Sequence, residues 1–376
     1  MSAGYDLAVV GAGIVGLAHA LAAARRGKRV VVIDRDAQAN GASIRNFGFV
    51  TVTGQQAGAC RARAMRTREI WAEVAPRAGI AVLQRGMTVL AERAEAVAVL
   101  EAFVGTGMGA ECHMMTRAEL AAELPVTGRV RAGLRSPHEL RVESRTAIPR
   151  LAAWLAAAMG VTFLWQRRVS GIALPRVDTS AGLVTAEAAV ICPGDDFTGL
   201  HADRIAAMGF TRCLLHMQRI APARTVALPT PVMSDLGLAR YLGYAELPEA
   251  APLAARLDRE KPEARAEGIH LIAVQSADGS MVVGDSHRYA DTPHPFAGAH
   301  VDDLILAELD AVLDLPGRRV TERWTGTYAS APDRLAWVDD VSDAEKLVIV
   351  TSGTGASTAF AIAEDTIASL YGKAWT

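Results

Sequence analysis

Residues Tyr5 to Asp34 read YDLAVVGAGIVGLAHALAAARRGKRVVVID, and this stretch decides the fold. Leu7-Ala8-Val9-Val10 is a short apolar strand. It runs into Gly11-Ala12-Gly13-Ile14-Val15-Gly16, after which an Ala- and Leu-rich helical pattern continues to Arg26 and stops at Gly27. Arg29 to Ile33 is a second buried strand, with Asp34 at its carboxyl end. Strand, Gly-rich turn, helix, strand and acidic residue, in that order, are the parts of a dinucleotide site. Gly11 allows the tight turn, Gly13 lets the backbone approach a pyrophosphate, and Gly16 lets helix and strand pack closely. The helix N-terminus offers free N–H groups and a positive dipole end to phosphates. Asp34 can accept hydrogen bonds from ribose hydroxyls. A GxGxxG by itself also fits a plain βαβ packing unit; agreement of the flanking elements carries the nucleotide reading. NAD and FAD both stay open on this stretch alone.

At 376 residues the chain can bury large cores and has room for two domains, or one with a large insertion. Its 39 basic and 41 acidic residues leave a net charge of −2, which argues against nucleic acid or an anionic membrane as the main partner. Cys60, Cys112, Cys192 and Cys213 are scattered without a CxxC pair or metal spacing, and read as free thiols in a reducing compartment. The apolar run from Leu7 to Ala24 is neither a signal peptide nor a membrane span. No basic residue precedes it, and glycines and His19 interrupt it. A soluble, cytoplasmic protein is expected.

Downstream, Asn40 to Gly48 is too small and polar for a strand or helix and reads as a loop beside the cofactor. A long helix over about 57–75, a strand over Gly86 to Ala91 and a helix over about 94–104 follow. Thr116-Arg117-Ala118-Glu119 has capping-box spacing. Pro137 to Glu143 reads as a polar loop, with Ser144 capping a helix that ends near Met159. Strands are predicted at Val161 to Leu164, Arg168 to Leu174 and Ala188 to Cys192. From about Arg212, short β-like runs (Leu214 to Ile220, Ile269 to Val274, Met281 to Val283) alternate with turns, interrupted by a helix from about Asp302 to Leu313. That is the pattern of an antiparallel sheet with helical cover. Leu347 to Val350 is a last buried strand, followed by Thr351-Ser352-Gly353-Thr354-Gly355-Ala356-Ser357 and a final helix to about Leu370. Both ends of the chain thus place a Gly-rich turn between strand and helix, which favours a flavin oxidoreductase: the terminal turn can set backbone N–H groups against a flavin ring.

The N-terminal GAGIVG with Asp34, the strand ending in Ile191-Cys192-Pro193-Gly194, the Trp324-Thr325-Gly326 turn and the C-terminal SGTGAS fall in one order over the whole chain. In that order the sequence resembles the D-amino-acid-oxidase-like flavoproteins, which include glycine oxidase and monomeric sarcosine oxidase. The runs Arg45 to Gln55, Arg240-Tyr241-Leu242-Gly243-Tyr244 and Asp278 to His287 are similar to a narrower group, the FAD-dependent oxidoreductases associated with aminophosphonate breakdown.

The resemblance implies a mixed α/β (α+β) fold in which an FAD-binding Rossmann-like domain (residues 1–82, 144–212 and 323–376) interleaves with an antiparallel-sheet substrate domain (83–143 and 213–322). The implied cofactor is FAD, held by Gly11, Ala12, Gly13, Ile14, Val15, Gly16, Asp34, Arg35, Ser43, Arg45, Asn46, Val169, Gly194, Gly353, Thr354, Gly355, Ala356 and Ser357. It is expected to be non-covalent, because sarcosine oxidase attaches its flavin through a Cys near the W-x-G position and no Cys follows Cys213 here. Implied substrate-positioning candidates are Arg45, Asn46, Arg240, Tyr241, Tyr244, His287 and Tyr328, with Arg288 and Tyr289 beside them. No metal and no catalytic triad are expected. His216 reads as a satisfied core histidine. Gly284-Asp285-Ser286-His287 is similar to the GD motif of flavin hydroxylases, but about ninety residues remain after it, and that reading is set aside.

Departures from the family matter as much. The arginine that glycine oxidase and D-amino-acid oxidase carry after the W-x-G turn, which pairs with a substrate carboxylate, corresponds to Tyr328. A second arginine in the terminal turn of glycine oxidase corresponds to a small residue near Ala356. The lysine beside the flavin in sarcosine oxidase corresponds to Val282, which weakens a simple oxidase label. The expected reaction is therefore oxidation of the C–N bond of a small amine, an aminophosphonate such as 2-aminoethylphosphonate or its N-methyl or hydroxy derivative. The partner is that small molecule, and nothing in the pattern fixes an oligomeric state. A glycine, sarcosine or D-amino-acid oxidase is the alternative in the same class. A non-catalytic flavin-binding subunit is the alternative of another class.

Overall fold

The computed structural model describes residues 4–372. It places the opening strand, Tyr5–Val10, between Val30–Ile33 and Gly182–Ile191, parallel to both. Thr162–Leu164 extends this sheet in parallel beyond Val30–Ile33, and Glu345–Val350 does so beyond Gly182–Ile191. An antiparallel strand, Ala336–Ser342, closes the second edge. Parallel strands need covered faces. Helices Ile14–Ala24, Ala59–Arg77, Ser144–Met159 and Gly355–Tyr371 build one apolar core with the sheet. Within it Trp71 is fully buried and meets the edge of Phe360 at 5.2 Å. Such an edge-on pair adds about 0.5–1.5 kcal/mol beyond its buried area.

The second sheet runs in the order Arg288–Ala290, Thr211–Ala221, Met281–Gly284, Ile272–Gln275, Val232–Met233, Val82–Ala91, Ala132–Val142, Phe49–Val50. Arg319–Ser330 also pairs with Thr211–Ala221, and His113–Thr116 with Ala132–Val142. All of these pairings are antiparallel except Val232–Met233 with Val82–Ala91. Helices Ala94–Val104, Ala250–Glu260 and Ala299–Val312 cover the sheet and share its core. The two sheets alternate along the chain.

Several local expectations give way to tertiary pairing. Pro137 to Glu143 is not a loop: all of it but Glu143, which precedes the next helix, belongs to the strand Ala132–Val142, held between Val82–Ala91 on one side and Phe49–Val50 on the other. Its polar residues find partners inside: Arg141, fully buried, donates to the Phe47 carbonyl and to Glu143, and Glu139 accepts from the Thr53 N–H. Trp324-Thr325-Gly326 is not a turn either but the middle of the strand Arg319–Ser330, so a boundary at 322/323 cuts a strand of the second sheet. Phe49–Val50, inside 1–82, likewise pairs with the second sheet. Ser144 does not cap its helix. It is the first helical residue, and its hydroxyl reaches the carbonyls of Ile44 and Asn46 in the polar loop. The helix Ala250–Glu260 and the hairpin strands Val169–Ala173 and Arg176–Thr179 complete the picture. The Thr116 capping box forms, with reciprocal bonds to the backbone and side chain of Glu119.

Candidate active site

A cleft of about 620 Å³ opens at the carboxyl ends of the parallel strands and continues under the second sheet. That is where open α/β sheets take ligands, and the size suits a cofactor with a small substrate. One end is built by the opening stretch. Gly11 has φ +103°, and a Cβ there would lie 2.4 Å from the Cys192 carbonyl oxygen; one on Gly16 would lie 1.9 Å from that of Gly11. Side chains at either position would push the helix off the strand. The helix Ile14–Ala24 begins at Gly13 without a side-chain cap. Its Ile14 N–H is taken by the Ser43 hydroxyl at 2.9 Å. Asp34 accepts from the N–H of Ala12 at 2.6 Å and of Asp36 at 2.9 Å, which fixes its carboxylate at the mouth of the turn.

The other helix aimed at the cleft, Gly355–Tyr371, also starts without a side-chain cap. Its first turn is fixed from two directions. Trp71 Nε1 donates to the Ala356 carbonyl at 2.9 Å, and the Thr51 N–H donates to the Ser357 hydroxyl at 2.8 Å. Gln55 in turn donates to Thr51 Oγ1. Two helix N-termini thus face one cleft, neither capped by its own N-cap side chain and each able to meet negative charge.

The polar loop forms the floor. Asn46 lines the cleft and shapes its floor, its amide donating to the Ala42 carbonyl and accepting from the Gly48 N–H at 2.7 Å each. The Arg45 carbonyl accepts from Trp324 Nε1 at 3.1 Å, and Gly326 lets the loop pack against that strand. Among the described residues the Arg45 guanidinium reaches only Asn40, at 3.4 Å.

Arg240, Tyr241, His287, Tyr289 and Tyr328 line the part of the cleft under the second sheet. Arg240 Nη2 donates to the Tyr289 hydroxyl at 2.7 Å and pairs with no carboxylate among the described residues. Burial works against its charge, but the hydroxyls of Tyr289 and Tyr328 and the Asp285 carboxyl hold it firmly protonated. Tyr328 lies over Gly353 of the terminal turn, and burial raises its hydroxyl well above the ordinary phenol range. The segment carrying Arg240 is anchored behind by Asp235, which accepts from Arg93 at 2.7 Å and from the Glu92 N–H at 3.0 Å.

Other expected residues take different places. Tyr244 does not reach the cleft: it is fully buried against Gly54 and Phe103. Arg288 is exposed and paired with Glu267. His216 is buried against Asp302, away from the cleft. Val282 lies in the core of the second sheet rather than on the cleft. Gly11, Gly13, Ile14, Val15, Asp34, Arg35, Ser43, Val169, Gly194 and Gly353 to Ser357 line the cleft; Ala12 and Gly16 lie behind it. Sequence reasoning missed His270, Asp285, Thr51 and Gln55, all of which also line it. His270 sits in an apolar run, and only its pairing opposite Asp285 gives it a place there.

This geometry defines a flavoprotein-type oxidoreductase: a dinucleotide turn, a second helix end over the same cleft and an antiparallel sheet roofing it. Residues 6–369 match the DAO family, FAD dependent oxidoreductase, and the chain belongs to that family. No curated protein matches the chain. Among solved structures, glycine oxidase from Bacillus cereus superposes with a TM-score of 0.79 at 16% identity, over 99% of this chain and 96% of that one. L-proline dehydrogenase from P. horikoshii gives 0.75 at 18%, over 97% and 92%. L-α-glycerophosphate oxidase from Mycoplasma pneumoniae, with FAD bound, gives 0.74 at 15%, over 100% and 96%. The cofactor is FAD, and the open turn, the uncapped helix ends and Asp34 fit it. No helix among the described residues is long and apolar enough to cross a membrane.

Proposed function

We propose that this protein oxidises the C–N bond of a small amine whose far end is an anion, and that the anion is a phosphonate, as in 2-aminoethylphosphonate or its N-methyl or hydroxy derivative. The observation that carries this reading is Arg240, a cation with no carboxylate partner among the described residues, standing in the cleft beside the hydroxyls of Tyr289 and Tyr328. Where two relatives' families carry a carboxylate-binding arginine, this chain has Tyr328 and a small residue near Ala356. The bound FAD supplies the two-electron acceptor for the carbon next to nitrogen. The chain's part is to hold that carbon close and the anion fixed. Water then hydrolyses the imine to an aldehyde, such as phosphonoacetaldehyde, and releases ammonia, or methylamine from the N-methyl derivative.

A second reading has one observation in its favour: a single arginine also suits a carboxylate, which makes Arg240 a relocated anchor for an amino acid or N-methyl amino acid. Anaerobic bleaching of the flavin by a panel of amines decides between them. Bleaching by aminoethylphosphonate, methylated or not, is expected to outpace that by glycine, sarcosine and D-amino acids; the reverse order removes the phosphonate reading.

A further inference from the structure

We propose that His270, Asp285 and His287 form a site for one divalent transition-metal ion on the wall of the cleft. His270 and Asp285 face each other at the ends of adjacent strands, locked by reciprocal backbone bonds: the His270 N–H to the Asp285 carbonyl at 3.2 Å, and the Asp285 N–H to the His270 carbonyl at 3.0 Å. The His287 N–H is held by the Glu267 carbonyl at 2.9 Å. All three side chains are buried, at 3%, 4% and 7% exposure. One ligand atom from each lies within 4.8 Å of the others.

The hydrogen bonding within the cluster is what a metal site leaves behind. His270 Nδ1 is 3.1 Å from Asp285 Oδ1, and His287 Nε2 is 3.8 Å from Asp285 Oδ2. Yet neither His270 Nδ1 nor Asp285 Oδ1 has a hydrogen-bond partner among the described residues. Buried polar atoms left unpaired are rare and costly. The far side of each ring is occupied. His287 Nδ1–H donates to the Gly268 carbonyl at 2.9 Å, which leaves the Nε2 lone pair turned toward Asp285. His270 Nε2 meets the Tyr241 hydroxyl at 3.3 Å. Outer partners of this kind orient metal-binding histidines. Nitrogen and carboxylate ligands sit about 2.0–2.2 Å from zinc, so two of them at a tetrahedral angle are about 3.3–3.6 Å apart. The separations of 3.1 and 3.8 Å bracket that spacing.

Two nitrogens and one carboxylate leave a ligand position open toward the cleft, as in catalytic rather than structural sites. The other buried group, Glu92, Asp235 and Glu308, makes direct ion pairs with Arg93, Arg129 and Lys261, whereas the one cation acting on the His270 cluster, Arg240, makes no ion pair with Asp285 among the described residues.

The test uses the FAD-loaded full chain, stripped with chelator, passed over a sizing column and titrated with Zn²⁺ in the absence of any amine. Elemental analysis is expected to find about one ion per chain. Co²⁺ in its place should give the d–d absorption of a low-coordinate site. Asp285→Asn and His287→Ala should lose the ion while flavin absorbance, which reports the fold, persists. Tyr241→Phe should weaken Zn²⁺ about tenfold, the usual effect of losing an outer partner. A wild-type chain that takes up no ion overturns the proposal whether or not the variants fold, as does an ion content that Asp285→Asn leaves unchanged. Because no amine is present, failure here leaves the aminophosphonate reading standing, and failure of that reading leaves the metal site standing.

Discussion

Replacing Arg240 with Met keeps the stem and removes the charge. In the structure its guanidinium makes one hydrogen bond, to the Tyr289 hydroxyl at 2.7 Å, and meets no carboxylate among the described residues. Its remaining donors are therefore free for an anion. Each hydrogen bond to a charged group is worth about 1.5–3 kcal/mol, and a forked pair up to about 6 kcal/mol. Arg240 is only half-buried, so solvent screens part of this, and about 3 kcal/mol is the expected loss. At about 1.4 kcal/mol per factor of ten, kcat/KM for an aminophosphonate should fall roughly 100-fold. Arg240→Lys keeps the charge without the fork and should fall about tenfold. A neutral amine of the same length is the control: its already low kcat/KM should move less than about threefold. Steady-state rates and the rate of anaerobic flavin bleaching both read this out. Equal losses on the charged and neutral amines would refute the reasoning, because the residue would then be holding the fold or the cofactor rather than the anion.

Gly16→Ala places a methyl 1.9 Å from the Gly11 carbonyl oxygen, which is backbone and cannot swing aside. Overpacking of this kind costs about 1–3 kcal/mol, so a lower Tm and a paler, FAD-poor preparation are expected; an unchanged FAD content would refute the close approach. Burial holds His19 down at about 4, against 6.5 when exposed. The unfolded chain therefore binds an extra proton between those values, and stability falls as pH drops through 6.5 toward 4. Between pH 8 and pH 5 this one residue should remove about 2 kcal/mol, and His19→Gln should flatten that part of a urea-denaturation pH profile. All four cysteines are free and buried. Acid precipitation is therefore expected to release all the yellow colour into the supernatant; colour left on the pellet would mean a covalent link.

What was legible in the sequence is what local chemistry dictates. The turn from Gly11 to Gly16 must be glycine where helix meets strand, so its residues announce themselves, and so does Asp34. The capping box at Thr116 is likewise a purely local device. The strand Ala132–Val142 was not legible, because Pro137, His138, Glu139 and Arg141 are polar for reasons that lie elsewhere in the chain: Arg141 is buried only because Phe47, Glu143 and Ser276 answer it. Trp324 to Gly326 read as a turn for a related reason. Gly326 is small because the polar loop rests on it, not because the chain reverses there. His270 and Asp285 were missed most completely. A lone histidine in GIHLIAV looks like core, and GDSH invites comparison with the wrong motif. Only the pairing of two strands sets them face to face. Tyr244 erred the other way, since an aromatic near Arg240 in sequence is turned into the core by one short helix, Leu242–Ala245.

The bonds that fix the start of the last helix, from Trp71 to Ala356 and from Thr51 to Ser357, span 285 and 306 residues. The opening strand is flanked by residues near 30 and near 190, and the strand beyond those, Glu345–Val350, joins later still. On a ribosome, the nucleotide turn therefore emerges long before the floor beneath the flavin can close. Contacts so distant in sequence are slow to form, and until they do the early strands leave apolar edges unpaired. The cofactor cleft is therefore completed only when the last strand and helix of the chain have joined the first.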